Sequence, residues 1–420
     1  MNENQKKPVI SPNLPYLPEI GVIGLVPEEW GGPWMPRHHV LTRLAYYFNV
    51  VWINPAREWR EVLFRRTLGG KGIDCNGMGI PGFSIYNPDK WLPKVYRPRS
   101  LAIFVERQRL RRAVRILRGR GCKKIVLYLW RPEFEPALDL IEHDLSCYHI
   151  DDEYTFSEVE KPIEENEARL ISRVDKVFIH SPALLEKKGC FNPQSIFVPN
   201  GVDYKAYATP CNEPADMKSI PHPRIGYTGF IKKQLDWPLL LHLAVEHPEW
   251  SFVFIGPQSP HKEIVSVIQK LSNKPNVHFL GAKLPTELPA YTQYFDVCIM
   301  PYRMDDYTKY IYPLKLHEYL ASGRPVIGTK IRSLHELSGV VYLANTPEEW
   351  SAAIMEGLSC AANTSERRTT RQEVARQHDW QLLVQQIAKT QASGLGQVYA
   401  DRLEEAVRNT LKGGLKERRT

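Results

Sequence analysis

The chain has no CxxC pair, no GxGxxG fingerprint in the loop after its first strand and no apolar run long enough to cross a bilayer, and each absence narrows what it can be. Its seven cysteines, at 75, 122, 147, 190, 211, 298 and 360, are scattered without regular spacing, as expected of a chain kept in a reducing compartment. The first apolar run, Ile20 to Val26, is far shorter than the roughly 20 residues of a spanning helix, and MNENQKKPVISPNLPYLP holds no apolar signal region. The expectation is a cytoplasmic protein, at most peripheral at the inner face of a membrane. Asp151 and Asp152 are adjacent but lack spaced histidine or carboxylate partners, so no metal and no other cofactor is expected.

What is present is ordinary globular material: 420 residues, 43% apolar, enough to bury a full core in two or three domains. The formal charge of +8, from 55 basic and 47 acidic side chains, favours anionic partners. Between Lys94 and Lys124 arginines crowd around a single acid, Glu106. That segment reads either as a solvated basic helix or as one facing an anionic membrane surface. Without interleaved aromatics it does not read as a site for nucleic acid.

The pattern along the chain is α/β. A strand (Gly21 to Val26), a loop with Gly31 and Gly32, a helix (Pro36 to Phe48) and a strand (Val50 to Ile53) open it in the manner of a parallel sheet with covering helices. The glycine pair serves either a turn or a close approach of backbone to an anion. Further strands are expected at Phe83 to Tyr86, Lys124 to Trp130, Ser146 to Ile150, Lys176 to His180 and Ile196 to Val198. The fifth carries His149 next to its last residue and runs into Asp151, Asp152 and Glu153, at a carboxyl end where parallel-sheet enzymes place chemistry. Those acids serve either that chemistry or a helix start. FVPNGVD closes a first unit, 1–203; the alternation restarts at Arg224 in a second unit, 204–385; a helical tail follows, 386–420.

The stretch YPLKLHEYLASGRPVI, Tyr312 to Ile327, is the most informative. Pro313 suits a first helical turn and Gly323 a stop, leaving a short helix from Leu314 to Ser322. Leu316 and Leu320 share a packing side, while Lys315, Glu318 and Ser322 share another. Its start could take a phosphate and Glu318 the ribose hydroxyls, or Lys315 and Glu318 form an exposed ion pair.

With FVPNGVD, NVHFLG and PLKLHEYLASGRPVI in this order, and PEEWGGPWMPRHHVLTRLA ahead of them, the chain resembles the GT-B glycosyltransferases of family 4, the group 1 glycosyl transferases, in a polysaccharide-assembling subgroup. The resemblance covers nearly the whole chain. It implies two Rossmann-like lobes around a cleft and a retaining, metal-free transfer from a UDP- or GDP-sugar to a glycan or polyprenyl-phosphate-linked acceptor. It places the donor against Gly31, Gly32, Gly229, Leu280, Lys283, Tyr312, Pro313, Leu314, Lys315 and Glu318. Arg37 and His38 would meet the acceptor, and His149 or Asp152 would deprotonate it. The chain departs from the family pattern twice. Tyr310 stands where members commonly carry a first glutamate. The family's phosphate-binding Arg and Lys are missing from their usual places after YTGF, where Lys232 or Lys233 could substitute for the charge. A catalytically silent assembly partner and a sugar-nucleotide epimerase or phosphorylase are the alternatives.

Overall fold

The computed structural model describes residues 14–32, 34–58, 73–74, 79–154 and 162–416; the chain before residue 14, Cys75 and the basic end after Lys416 lie outside the described residues. Two sheets organise it. The first has eight strands in the order β3-β4-β2-β1-β5-β6-β7-β8: β1 Ile20–Leu25, β2 Asn49–Ile53, β3 Ile73–Asp74, β4 Phe83–Tyr86, β5 Lys124–Leu129, β6 Leu145–Ile150, β7 Lys176–Ile179 and β8 Ser195–Phe197. All pair in parallel except β3 with β4. The second has six, all parallel, in the order β11-β10-β9-β12-β13-β14: β9 Arg224–Thr228, β10 Ser251–Ile255, β11 Val277–Phe279, β12 Val297–Met300, β13 Val326–Thr329 and β14 Tyr342–Ala344.

The central strands read as unbroken apolar runs because helices cover both faces of each sheet. In β1 all of IGVIGL is buried, and so is SFVFI in β10. This is the expected pair of Rossmann-like lobes. Strand order reverses between β1 and β5 in one sheet and between β9 and β12 in the other, and crevices for ligands open at the carboxyl ends of such strands.

Most elements lie where the sequence pattern predicts them, with shifted ends. The first helix stops at Leu44 rather than Phe48. Pro313 caps the helix Leu314–Ala321 from outside, with extended backbone, instead of opening its first turn. Gly323 ends that helix at φ 75° as expected.

The larger surprise is at the end of the chain. The helix Trp380–Leu395 packs back on the first sheet, where Trp380, Val384, Ile387 and Ala392 join a cluster with Val40, Leu41 and Trp52. The chain thus crosses between lobes twice, and the crossings touch: Val202 N donates to His378 O at 3.0 Å, and Trp380 N to Val202 O at 2.9 Å.

Candidate functional site

The loops after β1, β6, β9 and β12 and the helix Leu314–Ala321 converge where the lobes meet. That helix is seated by Leu316 and Leu320, both fully buried, a contribution of about 1.5 to 3 kcal/mol each. Leu314 at its start packs on the first-lobe cluster around Trp380, and Tyr310 just before it lies in the other first-lobe cluster, beside the Lys187 ammonium 4.9 Å from its ring. Asn200, from the FVPNGVD crossing, donates to Tyr312 O at 2.7 Å, and the Tyr312 hydroxyl meets His317 Nε2 at 2.8 Å. The helix start is therefore held from the first lobe, the crossing and its own lobe together.

Lys315 does not form the exposed ion pair. Its side chain turns into a slot between the rings of Tyr227 and Tyr302, 4.8 and 5.5 Å from the ammonium, which donates to the Tyr302 hydroxyl at 3.1 Å. Two glycines make the slot. Gly229 has φ 131°, and a Cβ there would stand 2.9 Å from Lys315 Cε; Gly256, at φ 145°, lies so close that its Cβ would meet Gly229 O at 2.0 Å. Burial opposes the lysine's charge, but the surrounding hydroxyls of Tyr227, Tyr302 and Tyr319 outweigh it and hold the pKa well above the ordinary lysine range. Lys232 is half-buried nearby. Burial and the charge of Lys315 push its pKa down, and Asp152 pulls it back up, so the three charges sense one another. Lys233 beside it is exposed.

Glu318 is half-buried one turn after Lys315, facing the Tyr207 hydroxyl; burial raises its pKa while Lys315 and Tyr207 draw it down. Ser322, expected on the same open face, is buried and donates to Tyr319 O at 2.7 Å. Leu280 and Gly281 follow β11 alongside the glycine slot, Gly256 N donating to Gly281 O at 2.9 Å. Lys283 is drawn away to Asp216 at 2.6 Å.

From the first lobe, Asp152 reaches across. It accepts from the Tyr307 hydroxyl of the other lobe, and burial, with Asp151 next to it, raises its pKa. Asp151 is spent inside its own lobe on Arg37 and the Tyr154 hydroxyl. Arg37 also pairs with Glu28 and is buried, so it ties the glycine loop to the end of β6. In that loop Gly32 N donates to Glu29 O at 3.1 Å, a turn, while a Cβ on Gly31 would meet nothing within 4 Å.

Burial disfavours the charged form of both His38 and His149. His38 sits among Trp30, Trp34 and Trp52, its Nδ1 accepting from Met35 N at 3.1 Å, and burial pushes its pKa down to about 4. His149 stacks on Trp130 at 4.1 Å with Nδ1 held by the Tyr128 hydroxyl at 2.7 Å, and burial takes its pKa well below the usual value. Of the two proposed bases, Asp152 is the one in contact with the other lobe. Three residues were not singled out from sequence: Tyr307, Asn200 and His180. His180 directly follows β7 as His149 nears the end of β6, its Nδ1 on Ile150 O at 3.0 Å, and it feels the charges of Asp151 and Asp152. Its place at a strand's carboxyl end was the available signal.

Residues 222–359, most of the second lobe, match the family described as Glycosyl transferases group 1. A Bacillus subtilis (strain 168) protein, TuaH, whose name proposes a teichuronic acid biosynthesis glycosyltransferase, is 32% identical over 241 residues, 54% of this chain and 59% of that protein. The chain thus spans well under two thirds of that relative's length. Among solved structures, Anabaena Alr3699/HepE in complex with UDP and glucose superposes with a TM-score of 0.64 at 15% identity, over 89% of this chain and 100% of that one. A sucrose-phosphate synthase from Thermosynechococcus elongatus gives 0.65 at 14% identity, over 89% and 98%. At such identities the likeness is one of fold. Residues 222–359 form a group 1 glycosyl transferase domain within a chain of GT-B fold.

Proposed function

We propose that the protein is a retaining glycosyltransferase that moves a sugar from a UDP- or GDP-sugar to a glycan or lipid-linked acceptor in the assembly of a cell-surface polysaccharide. The observation that carries this reading is the pairing of two lysines, Lys315 and Lys232, on one side of the lobe junction with one carboxylate, Asp152, on the other. Two positive charges suit a diphosphate whose charge grows as the glycosidic bond breaks, and fixed groups of this kind act without a metal. Glu318, one turn deeper, accepts from ribose hydroxyls. Asp152 takes the proton of the acceptor hydroxyl, its raised pKa making it a stronger base than an exposed aspartate. Arg37 and Asn200 position the glycine loop and the helix start.

The fold relatives seen with UDP and glucose support a uridine donor, and the teichuronic acid relative supports a surface polysaccharide as destination. A catalytically silent partner remains the second reading because Tyr310, where the family carries a glutamate, is buried against the first lobe. Thermal shift against nucleotides and nucleotide sugars tests donor binding, a ligand at 100 times its dissociation constant adding about 2.7 kcal/mol. Slow donor hydrolysis without acceptor separates the enzyme from the silent partner. No shift with any nucleotide would end both readings.

A further inference from the structure

The helix Arg99–Gly119 covers β1 and β2 with Val105, Leu110, Ala113 and Leu117, all buried. Its other side is unusual. Leu101, Phe104, Arg107, Arg111, Arg115 and Arg118 follow one another at spacings of three and four, which sets them in a single outward stripe. The stripe is apolar at its start and basic for the rest. Phe104 is 55% exposed and Leu101 44%, and the segment leading into the helix leaves Trp91 70% exposed. Exposed large apolar side chains gathered at one helix end mark an interaction surface rather than an ordinary solvated face.

The basic part is equally uncommitted. Among the described residues Arg107, Arg111 and Arg115 form no ion pair, and Arg118 donates only to the backbone oxygens of Cys122 and Lys123. With Asp139 and Glu142 on the opposite wall, the four arginines line an open groove of about 820 Å³. Asp139 is already taken by Arg173 at 2.6 Å. With four arginines facing Glu142, the face carries an excess of positive charge beside exposed aromatic and aliphatic groups, which is the chemistry of an anionic bilayer surface: headgroups for the arginines, the upper acyl layer for Phe104, Leu101 and Trp91.

Topology says where this face stands. The helix follows β4 and leads into β5, so its apolar start lies at the carboxyl edge of the first sheet, the edge that carries Asp152 and the glycine loop. At that edge Glu29 of the glycine loop, Asn54 after β2 and Asn87 and Asp89 after β4 line a small pocket. We infer that the first lobe docks on an anionic membrane through this helix, arginines on the headgroups and its apolar end in the lipid, so that the mouth of the cleft opens next to the bilayer. Docking does not depend on the transfer chemistry.

Flotation of the full chain with vesicles tests this directly. The protein is expected to float with phosphatidylcholine vesicles containing phosphatidylglycerol, not with phosphatidylcholine alone, and to be released by salt. Replacing Arg107, Arg111 and Arg115 together with Gln should lower binding on the order of a hundredfold. Leu101→Ser with Phe104→Ser should also lower it, at the low salt where the wild-type chain binds. Lys262→Gln with Lys270→Gln, an equally exposed basic change on the second lobe, should leave flotation unchanged. Nucleotide-induced thermal shifts should be the same in all variants, which keeps failure here distinct from failure of the transferase reading. Absence of flotation with acidic vesicles, equal binding to both kinds, wild-type binding by the arginine variant, or binding to single-stranded RNA in place of vesicles would each overturn the assignment.

Discussion

The Tyr307 hydroxyl, from the second lobe, donates to both carboxylate oxygens of Asp152 in the first, at 3.0 and 3.3 Å. The bond ties the candidate base of one lobe to the other, beside the Arg332–Glu186 ion pair that also crosses between them. The bond favours the charged form of Asp152 against burial and the neighbouring Asp151, which both raise its pKa. Asp152→Asn should lower turnover by roughly 10² to 10⁴ with little change in donor affinity. Tyr307→Phe should keep activity but move the acid limb of the kcat profile to higher pH, because the carboxylate loses a donor. A profile that does not move would detach Tyr307 from Asp152.

The lysine slot makes a second distinction. Lys315→Met removes the charge and keeps most of the stem, so a nucleoside diphosphate should lose about 1.5 to 3 kcal/mol while the bare nucleoside binds as before. Glu318→Gln should weaken both ligands. Lys232→Met should act like Lys315→Met and Lys233→Met should not, since only Lys232 shares the field of Lys315 and Asp152. Calorimetric titration reads all four; wild-type affinities throughout would empty the site.

Two glycines should behave in opposite ways. At Gly256 a Cβ would stand 2.0 Å from a backbone oxygen at φ 145°, so Gly256→Ala should destabilise by at least about 3 kcal/mol in urea unfolding. At Gly31 a Cβ meets nothing, so Gly31→Ala should stay within about 0.5 kcal/mol of wild type. Any loss of diphosphate affinity in that variant then reports a ligand approaching the loop.

His38 ties stability to pH. Its pKa falls from 6.5 to about 4 on folding, chiefly by burial, so between these values the unfolded chain binds the extra proton. The stabilisation is full above 6.5 and is lost as pH falls toward 4, a change of up to about 3 kcal/mol. His38→Gln should flatten the stability curve in that window; an unchanged slope would assign it to other groups.

The lobes and nearly every central strand were legible in the sequence, because strands buried on both faces leave apolar runs bounded by glycine and proline. The helix from Leu314 was legible too, through Pro313, Gly323 and the spacing of Leu316 and Leu320. What was not legible depends on meetings between distant segments. Lys315 and Glu318 look like an ion pair in sequence, and only the glycines after β9 and β10 turn the lysine elsewhere. Arg37 looked open to an acceptor until Glu28 and Asp151 closed around it. Tyr307 lies in a loop without pattern, and its partner is in another lobe. The return of Trp380 to the first core left no local trace, since an apolar helix stripe does not say which core it enters.

That return has a mechanical consequence. A single tether between lobes would let one spin freely against the other, whereas two crossings clasped through Val202, His378 and Trp380 act as the knuckles of one door hinge. Rotation about a single axis stays cheap and twisting does not. A protease cut within 209–223 severs only one strap, so the halves should migrate together under native conditions and separate only in denaturant.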